Sequence, residues 1–272
     1  MDAYSDNLCP RVVVVGAGGI GSVLLTYLFR EVAQNRINKI YLIDGDSYDS
    51  GNLSRQFFPR TCVGMNKAEA QKLKLQVLFP EAPIDRVEVI PHFLLNESWQ
   101  SNVPALAAGD RPWIIFSGVD NHDCRRILAT WVETILTDND VTNAVLVTGG
   151  NNEWDGNVHV YGRWEFPDGT SRMIGQPLSH RHPEILHAAE GTREGLSCQE
   201  RVNLHGGPQT LAANSMAATL MYSVYAALLN SPESLLTVED AYFDTREFRV
   251  NVVRSDEIGG VTVLPPPDKE TP

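Results

Sequence analysis

The feature that most constrains this chain is a β-branched run that passes directly into a glycine-rich turn. Val12-Val13-Val14-Val15 reads as a buried strand. Gly16-Ala17-Gly18-Gly19-Ile20-Gly21 follows at once and leads into Ser22-Val23-Leu24-Leu25-Thr26-Tyr27-Leu28-Phe29, a segment without Gly or Pro that suits a buried helix. Between a strand and a helix, Gly-x-Gly-x-x-Gly is a nucleotide-binding arrangement. Gly16 permits the tight turn, Gly18 and the adjacent Gly19 let phosphate approach the backbone, and Gly21 lets the helix pack closely on the sheet. The helix N-terminus then faces the anion. A second strand, Lys39-Ile40-Tyr41-Leu42-Ile43, ends at Asp44, where an acid can accept hydrogen bonds from a ribose.

The next residues depart from a hydride-transfer site. Asp44-Gly45-Asp46 leads to Asn52-Leu53-Ser54-Arg55-Gln56 and then to Gly64-Met65-Asn66-Lys67. One helical turn over 52–56 puts Asn52, Arg55 and Gln56 on one face, so that a fixed cation and two amides would point into the nucleotide cleft. Further on, the apolar strand Pro112-Trp113-Ile114-Ile115-Phe116-Ser117 ends in Gly118-Val119-Asp120. Ligands of open parallel sheets sit beyond the carboxyl ends of strands, which is where Asp120 falls. The bland role for Asp120 is to cap the helix that follows it.

The order Gly-x-Gly-x-x-Gly, Asp-Gly-Asp, Asn-Leu-x-Arg-Gln, Gly-x-Asn-Lys-Ala and Val-Asp-Asn with Arg125 resembles the ThiF/MoeB family, the adenylating core shared with ubiquitin-activating enzymes. The resemblance is dense up to Arg126 and thin beyond. It implies ATP and Mg²⁺ as cofactors, with Asn52, Arg55, Gln56, Lys67 and Asp120 as the catalytic set. Asp120 would be the metal ligand, Asp44 the ribose acid and Asp46 the second acid of the same motif. The reaction implied is adenylation of a carboxyl terminus, foremost the Gly-Gly tail of a small ubiquitin-like or sulfur-carrier protein. A homodimer and a conjugating enzyme as further partner come with it. In the same family the acyl group is often passed on to a cysteine shortly before the last long helix, and Cys198 stands there. Arg193 or Arg201 could supply the positive charge its thiolate needs.

Composition narrows the class. The 272 residues are 43% hydrophobic and 21% charged, ordinary values for a soluble protein. The net charge of −12 opposes general attraction to nucleic acid or anionic membrane, so neither is expected as a partner. The four cysteines, at 9, 62, 124 and 198, form no Cys-x-x-Cys pair, and a reducing cytoplasm is the expected home. Cys9, Cys62 and Cys124 read as buried or incidental thiols. Residues Met1 to Pro10 are polar and acidic and do not read as a secretory signal. The longest apolar stretch, Ala212 to Leu229, is interrupted by Asn214, Ser215, Thr219, Tyr222, Ser223 and Tyr225 and is expected to be a helix buried in protein. His180, His182 and His187 lack helical metal-ligand spacing and are expected to be solvated loop histidines.

The fold expected is α/β: a Rossmann-like open sheet, mainly parallel, with helices on both faces and an antiparallel extension after the core. Residues 1–10 form an N-terminal extension, 11–254 a single adenylation domain with a crossover or lid segment without regular order at about 167–208, and 255–272 a solvated tail. Within the domain the pattern predicts a helix over 67–79 burying Leu73, Leu75, Val77 and Leu78. Strands are expected at 86–90 and 141–148, an exposed strand at 156–166, a short helix from Phe93, a helix at 121–136, the last long helix at 209–229 and a closing strand at 244–254. Two rivals remain for function. A non-catalytic scaffold subunit would have no need of the five-residue set. A nicotinamide oxidoreductase would use Gly16 to Gly21 and Asp44 but leave Arg55 and Lys67 idle.

Overall fold

The computed structural model describes residues 9–94, 112–137, 143–185, 209–255 and 261–262. Strand β1 (Arg11–Val15) lies between β2 (Lys39–Ile43) and β4 (Trp113–Ser117), parallel and in register with both. Beyond β2 comes β3 (Val87–Ile90), and beyond β4 comes β5 (Ala144–Asn151), again parallel. The chain thus winds outward from β1 in one direction and returns to its other side, which creates a topological switch point between β1 and β4.

Past β5 the sheet turns antiparallel: β6 (Asp155–Glu165) pairs with β5, then come β8 (Val238–Asp244), β9 (Arg249–Ser255) and the two-residue β10 (Val261–Thr262). The short β7 (Ser171–Ile174) also pairs with β6. Parallel core and antiparallel extension match the expected class.

The period of two along each strand divides the interior. Val12, Val14, Ile40, Leu42, Ile114 and Phe116 face one layer, covered by α1 (Gly19–Ala33), α2 (Lys67–Leu78) and α5 (Leu211–Asn230). Val13, Val15, Tyr41, Ile43, Trp113 and Ile115 face the other, covered by α3 (His122–Thr137) and the short α4 (Leu178–Arg181). Helix α5 is long and apolar enough to cross a membrane by composition, but it buries Ala213, Ala217, Ala218, Met221, Tyr225 and Leu228 in the first of these layers.

Several expectations are corrected. In α2 only Leu75 of the expected apolar set is buried, while Leu73, Val77 and Leu78 are exposed. The helix is rotated so that Ala68, Gln71, Lys74 and Leu75 face inward, because Gln71 and Lys74 reach backbone carbonyls there. Strand β6 is interior, with strands on both sides, and Val158 to Tyr161 are buried. A strand at 238–244 was not anticipated, and the closing strand begins at Arg249. The segment after Pro167 is partly regular, with β7, α4 and a 3₁₀ turn at Pro183–Ile185. His182 is half-buried beside Asp240, not solvated, whereas His180 is exposed. Phe93 and Leu94 are not helical. Cys198, Arg193, Arg201 and His187 lie outside the described residues, as do 186–208 and the terminal segments 1–8 and 263–272.

Among the described glycines, Gly21 at the glycine turn leaves the least room for a side chain. Gly16 has φ +92°, and a Cβ at Gly21 would sit 1.8 Å from the Gly16 carbonyl oxygen. Gly21→Ala must therefore push α1 off the sheet. We expect a loss of about 3 kcal/mol or more, read as a lowered urea midpoint.

Candidate functional site

Because β1, β2 and β4 end at the same level beside the last residues of β5, the loops leaving them and the end of β5 enclose one cleft. Gly16, Gly18 and Gly19 line it from β1, Asp44 and Asp46 from β2, Gly118, Asp120 and Asn121 from β4, and Gly149 to Asn151 from β5. Helix α1 opens into it with Gly18 at the N-cap and no capping side chain, so its first N–H groups face the cleft.

Asp44 lies at the base of the cleft. Its Oδ2 accepts the Ala17 N–H at 2.6 Å and its Oδ1 accepts the Asp46 N–H at 2.8 Å. Burial pushes its carboxyl pKa above the ordinary value, with the charge of Lys67 and these two N–H donors pulling the other way. Lys67 begins α2, and its Nζ lies 3.0 Å from Asp46 Oδ2. Asn66 caps that helix by accepting the Ala68 and Glu69 N–H groups, and its own amide donates to the carbonyls of Asp44 and Asp46. The Lys67 ammonium is therefore held at the cleft wall by its neighbour's double attachment.

The 52–56 segment behaves differently from a simple helical turn. Residues Ser50–Ser54 form a 3₁₀ turn closed by a capping box, in which Asn52 Oδ1 accepts the Asp49 N–H and Asp49 Oδ1 accepts the Asn52 N–H. All three side chains of interest are buried, but they do not share one face of the cleft. Gln56 lines it beside Gly18, while Asn52 and Arg55 lie one layer behind the wall. The Gln56 Oε1 is buried without a hydrogen-bond partner.

Asp120 lines the cleft. The capping role falls to Asn121, whose Oδ1 accepts the Cys124 N–H at 2.9 Å. The two roles read for Asp120 are compatible, and it stands on the cleft wall beside this cap. Cys124 also faces the cleft, but burial pushes its thiol up to about 12, which makes it a poor nucleophile. Cys9 and Cys62 are buried, as expected.

Arg125, already part of the Val-Asp-Asn motif, contributes as well, and so do three residues that the motifs do not include. Arg125 lines the cleft next to Gly150, with its guanidinium anchored on the Val119 carbonyl at 2.8 and 3.2 Å. Asn214 of α5 packs its amide on Gly19 and donates to the Arg55 carbonyl at 2.8 Å. Its signal was available: a polar side chain within an Ala- and Leu-rich helix that proves fully buried. Tyr48 donates to the Ala17 carbonyl and accepts from Gln71, tying the glycine turn to α2. Lys74 completes this pedestal, donating to the Ser22 carbonyl at 2.6 Å, with its ammonium 5.0 Å from the centre of the Phe57 ring.

A profile of the ThiF family matches residues 7–251. The chain belongs to the ThiF family. Among curated relatives it is 29% identical over 152 residues to ubiquitin-like modifier-activating enzyme 5 of Branchiostoma floridae, covering 50% of this chain and 35% of that one. Against the Rattus norvegicus enzyme of the same name it is 27% identical over 148 residues, covering 49% and 35%. The aligned region of this ThiF-family chain thus spans about a third of the length of the curated relatives it matches. Among solved structures, PaaA superposes with a TM-score of 0.58 at 16% identity, covering 92% of this chain and 65% of that one. Escherichia coli MccB crystallised with ATP superposes at 0.57 and 20% identity, covering 92% and 64%. These superpositions establish the Rossmann-like fold of the family.

Burial pushes the Lys74 amine down from 10.5 to about 7. The unfolded chain then binds more protons than the folded one between about pH 7 and 10.5, so the cost of burying this charge is complete below pH 7 and fades as pH rises. Lys74→Met removes that cost, and each carbonyl keeps another donor, Thr26 Oγ1 on Ser22 and Gln71 Nε2 on Phe57. We expect the stability gap in favour of the variant to be largest below pH 7 and to shrink steadily toward pH 10 in paired urea titrations.

Proposed function

We propose that this ThiF-family chain is an adenylyltransferase that uses MgATP to activate a carboxyl group. The observation that carries this reading is the convergence of Lys67, Arg125 and the uncapped start of α1 on one cleft that also holds Asp44 and Asp120. The second acid beside Lys67 and the acid beyond β4 go beyond what a nicotinamide site requires.

The residues fit a nucleoside triphosphate. Asp44 would take the ribose hydroxyls through the lone pairs its two backbone donors leave free. Lys67 and Arg125 would neutralise phosphate oxygens, and the Gln56 amide, with its buried unsatisfied oxygen, would gain a partner on binding. Arg55 adds buried positive charge behind Gln56, and Asn52 fixes the turn that carries both. Asp120 offers the hard oxygen donor that Mg²⁺ prefers, and the ion would add positive charge at the phosphates.

In this mechanism a substrate carboxylate oxygen attacks the α-phosphorus. The bond from that phosphorus to the bridging oxygen breaks, and pyrophosphate leaves with the electron pair. No proton moves, because the nucleophile is already ionised at neutral pH. The work of the protein is to hold two anions together and to stabilise charge growing on the leaving oxygens. Lys67 can exchange Asp46 for phosphate with little movement, since that ion pair stands at the cleft wall.

For the substrate, we infer the Gly-Gly carboxyl terminus of a small ubiquitin-like protein, supported by the curated relatives named for activating such modifiers. Transfer to Cys198 as a thioester belongs to the same reading, in which the cysteine thiolate displaces AMP from the acyl-adenylate.

The test is pyrophosphate–ATP exchange in Mg²⁺ with a panel of Gly-Gly-ending carriers and small carboxylates. Carrier-dependent exchange is expected, falling about 10²–10³-fold in Lys67→Ala and in Asp120→Asn. Cys198→Ala should keep the exchange and lose a thiol-sensitive carrier adduct. Absence of exchange with every carboxylate in the panel overturns the proposal.

A further inference from the structure

Away from the cleft, the antiparallel half of the sheet holds a second cluster of chemistry-bearing side chains. His159 of β6 and Asp240 of β8 are direct cross-strand partners, both fully buried. His182, just beyond α4, reaches the same carboxylate. His159 Nδ1 lies 3.1 Å and His182 Nε2 3.2 Å from Asp240 Oδ1, and all three atoms fall within 4.8 Å of one another.

The proton count at His159 is informative. Its Nε2 lies 2.9 Å from the Gln176 carbonyl oxygen, which can only accept, so Nε2 must carry the hydrogen. In a neutral ring Nδ1 is then a bare lone pair, yet it faces a carboxylate oxygen. Something positive must stand between them. It is either a second proton, which would make a fully buried imidazolium, or a metal ion that serves both rings while each stays neutral.

Three further observations favour the ion. Ligand atoms of a tetrahedral zinc site with bonds of about 2.0–2.1 Å stand about 3.3 Å apart; the two nitrogen–oxygen separations lie near that value, and the two imidazole nitrogens, within 4.8 Å of each other, would draw together to it on binding. The Gln176 carbonyl on the far ring nitrogen is the outer partner that metal-bound histidines take, fixing both tautomer and ring orientation. Among the described residues the surrounding charge is also unbalanced. Arg181 bridges Asp240 Oδ2 at 3.0 Å and Glu239 Oε2 at 3.3 Å, so one guanidinium faces two carboxylates that are both fully buried. Neither Glu239 oxygen makes a hydrogen bond. A bound cation would offset the surplus negative charge of this described set.

We propose that His159 Nδ1, His182 Nε2 and Asp240 Oδ1 bind a divalent transition-metal ion, Zn²⁺ by the match of two imidazoles and one carboxylate without a thiolate. The ion joins β6, β8 and the peptide that follows α4, and so pins Gly175 to His182 against the sheet. Its role is structural: none of its three ligand residues lines the nucleotide cleft, and it takes no part in the activity proposed there.

The experiment uses the full, untagged chain. Metal is removed with EDTA, Zn²⁺ is titrated back, and binding is followed by calorimetry, metal analysis and Tm. Wild type is expected to bind zinc stoichiometrically with a rise in Tm. Because His182 is only half-buried, His182→Ala should remain folded, bind zinc on the order of 100-fold more weakly and lose the rise in Tm. Asp240→Asn should do the same. In zinc-saturated protein, ¹⁵N spectra should show a single N–H on the His159 ring. Equal zinc binding by wild type and His182→Ala overturns the proposal, as does a doubly protonated His159 ring in excess zinc.

Discussion

The register of β1 against its two neighbours is the constraint on which the rest of this structure depends. Val15 sits opposite both Ile43 and Ser117, so β1, β2 and β4 stop on one line, while β5 passes that line at Thr148 and runs on to Asn151. Gly16, Asp44 and Gly118 therefore leave the sheet at equal height beside Gly149 of β5, and the loops of the cleft inherit that position. A slip of one residue would exchange Val13 and Val15 for Val12 and Val14 on the face packed by α3, burying the wrong side of the strand. The alternation that stabilises the sheet is thus the same device that aligns the site.

Around that line the chain uses one kind of bond repeatedly: a long polar side chain reaching a backbone carbonyl. Tyr48 holds Ala17, Gln71 holds Phe57, Lys74 holds Ser22, Asn66 holds Asp44 and Asp46, and Asn214 holds Arg55. Each bond fixes a backbone segment without adding charge at the cleft surface, where Lys67 and Arg125 face Asp44, Asp46 and Asp120. In a molecule with a net charge of −12, the field in the cleft is set by these few groups that line it.

The parts of this arrangement that were legible in the sequence are those whose cause is local. A β-branched run, three glycines at fixed spacing and an apolar helix announce themselves, and Asp44 and Asp120 follow from strand ends alone. What escaped depends on partners distant in the chain. The inward face of α2 is chosen by carbonyls of Ser22 and Phe57, not by its leucines, so apolar spacing misread it. Strand β8 carries Glu239 and Asp240, an acidic pair that argues against a buried strand unless His159 and Arg181 are known to wait beside it. Helical spacing puts Asn52, Arg55 and Gln56 on one face, but the capping box with Asp49 draws the turn into a 3₁₀ form, and of the three it is Gln56 that lines the cleft.

The bond from Asn214 to the Arg55 carbonyl crosses 159 residues of chain. The glycine turn, both acids and Lys67 all precede Leu211 in the chain, yet the wall that carries Gln56 is closed by the helix that begins there. A chain stopped before Leu211 would possess every residue of the nucleotide signature without the strut that braces them. Competence for the cleft in this sense waits on α5, and a product truncated there would betray itself by an unbraced pocket sooner than by a missing motif.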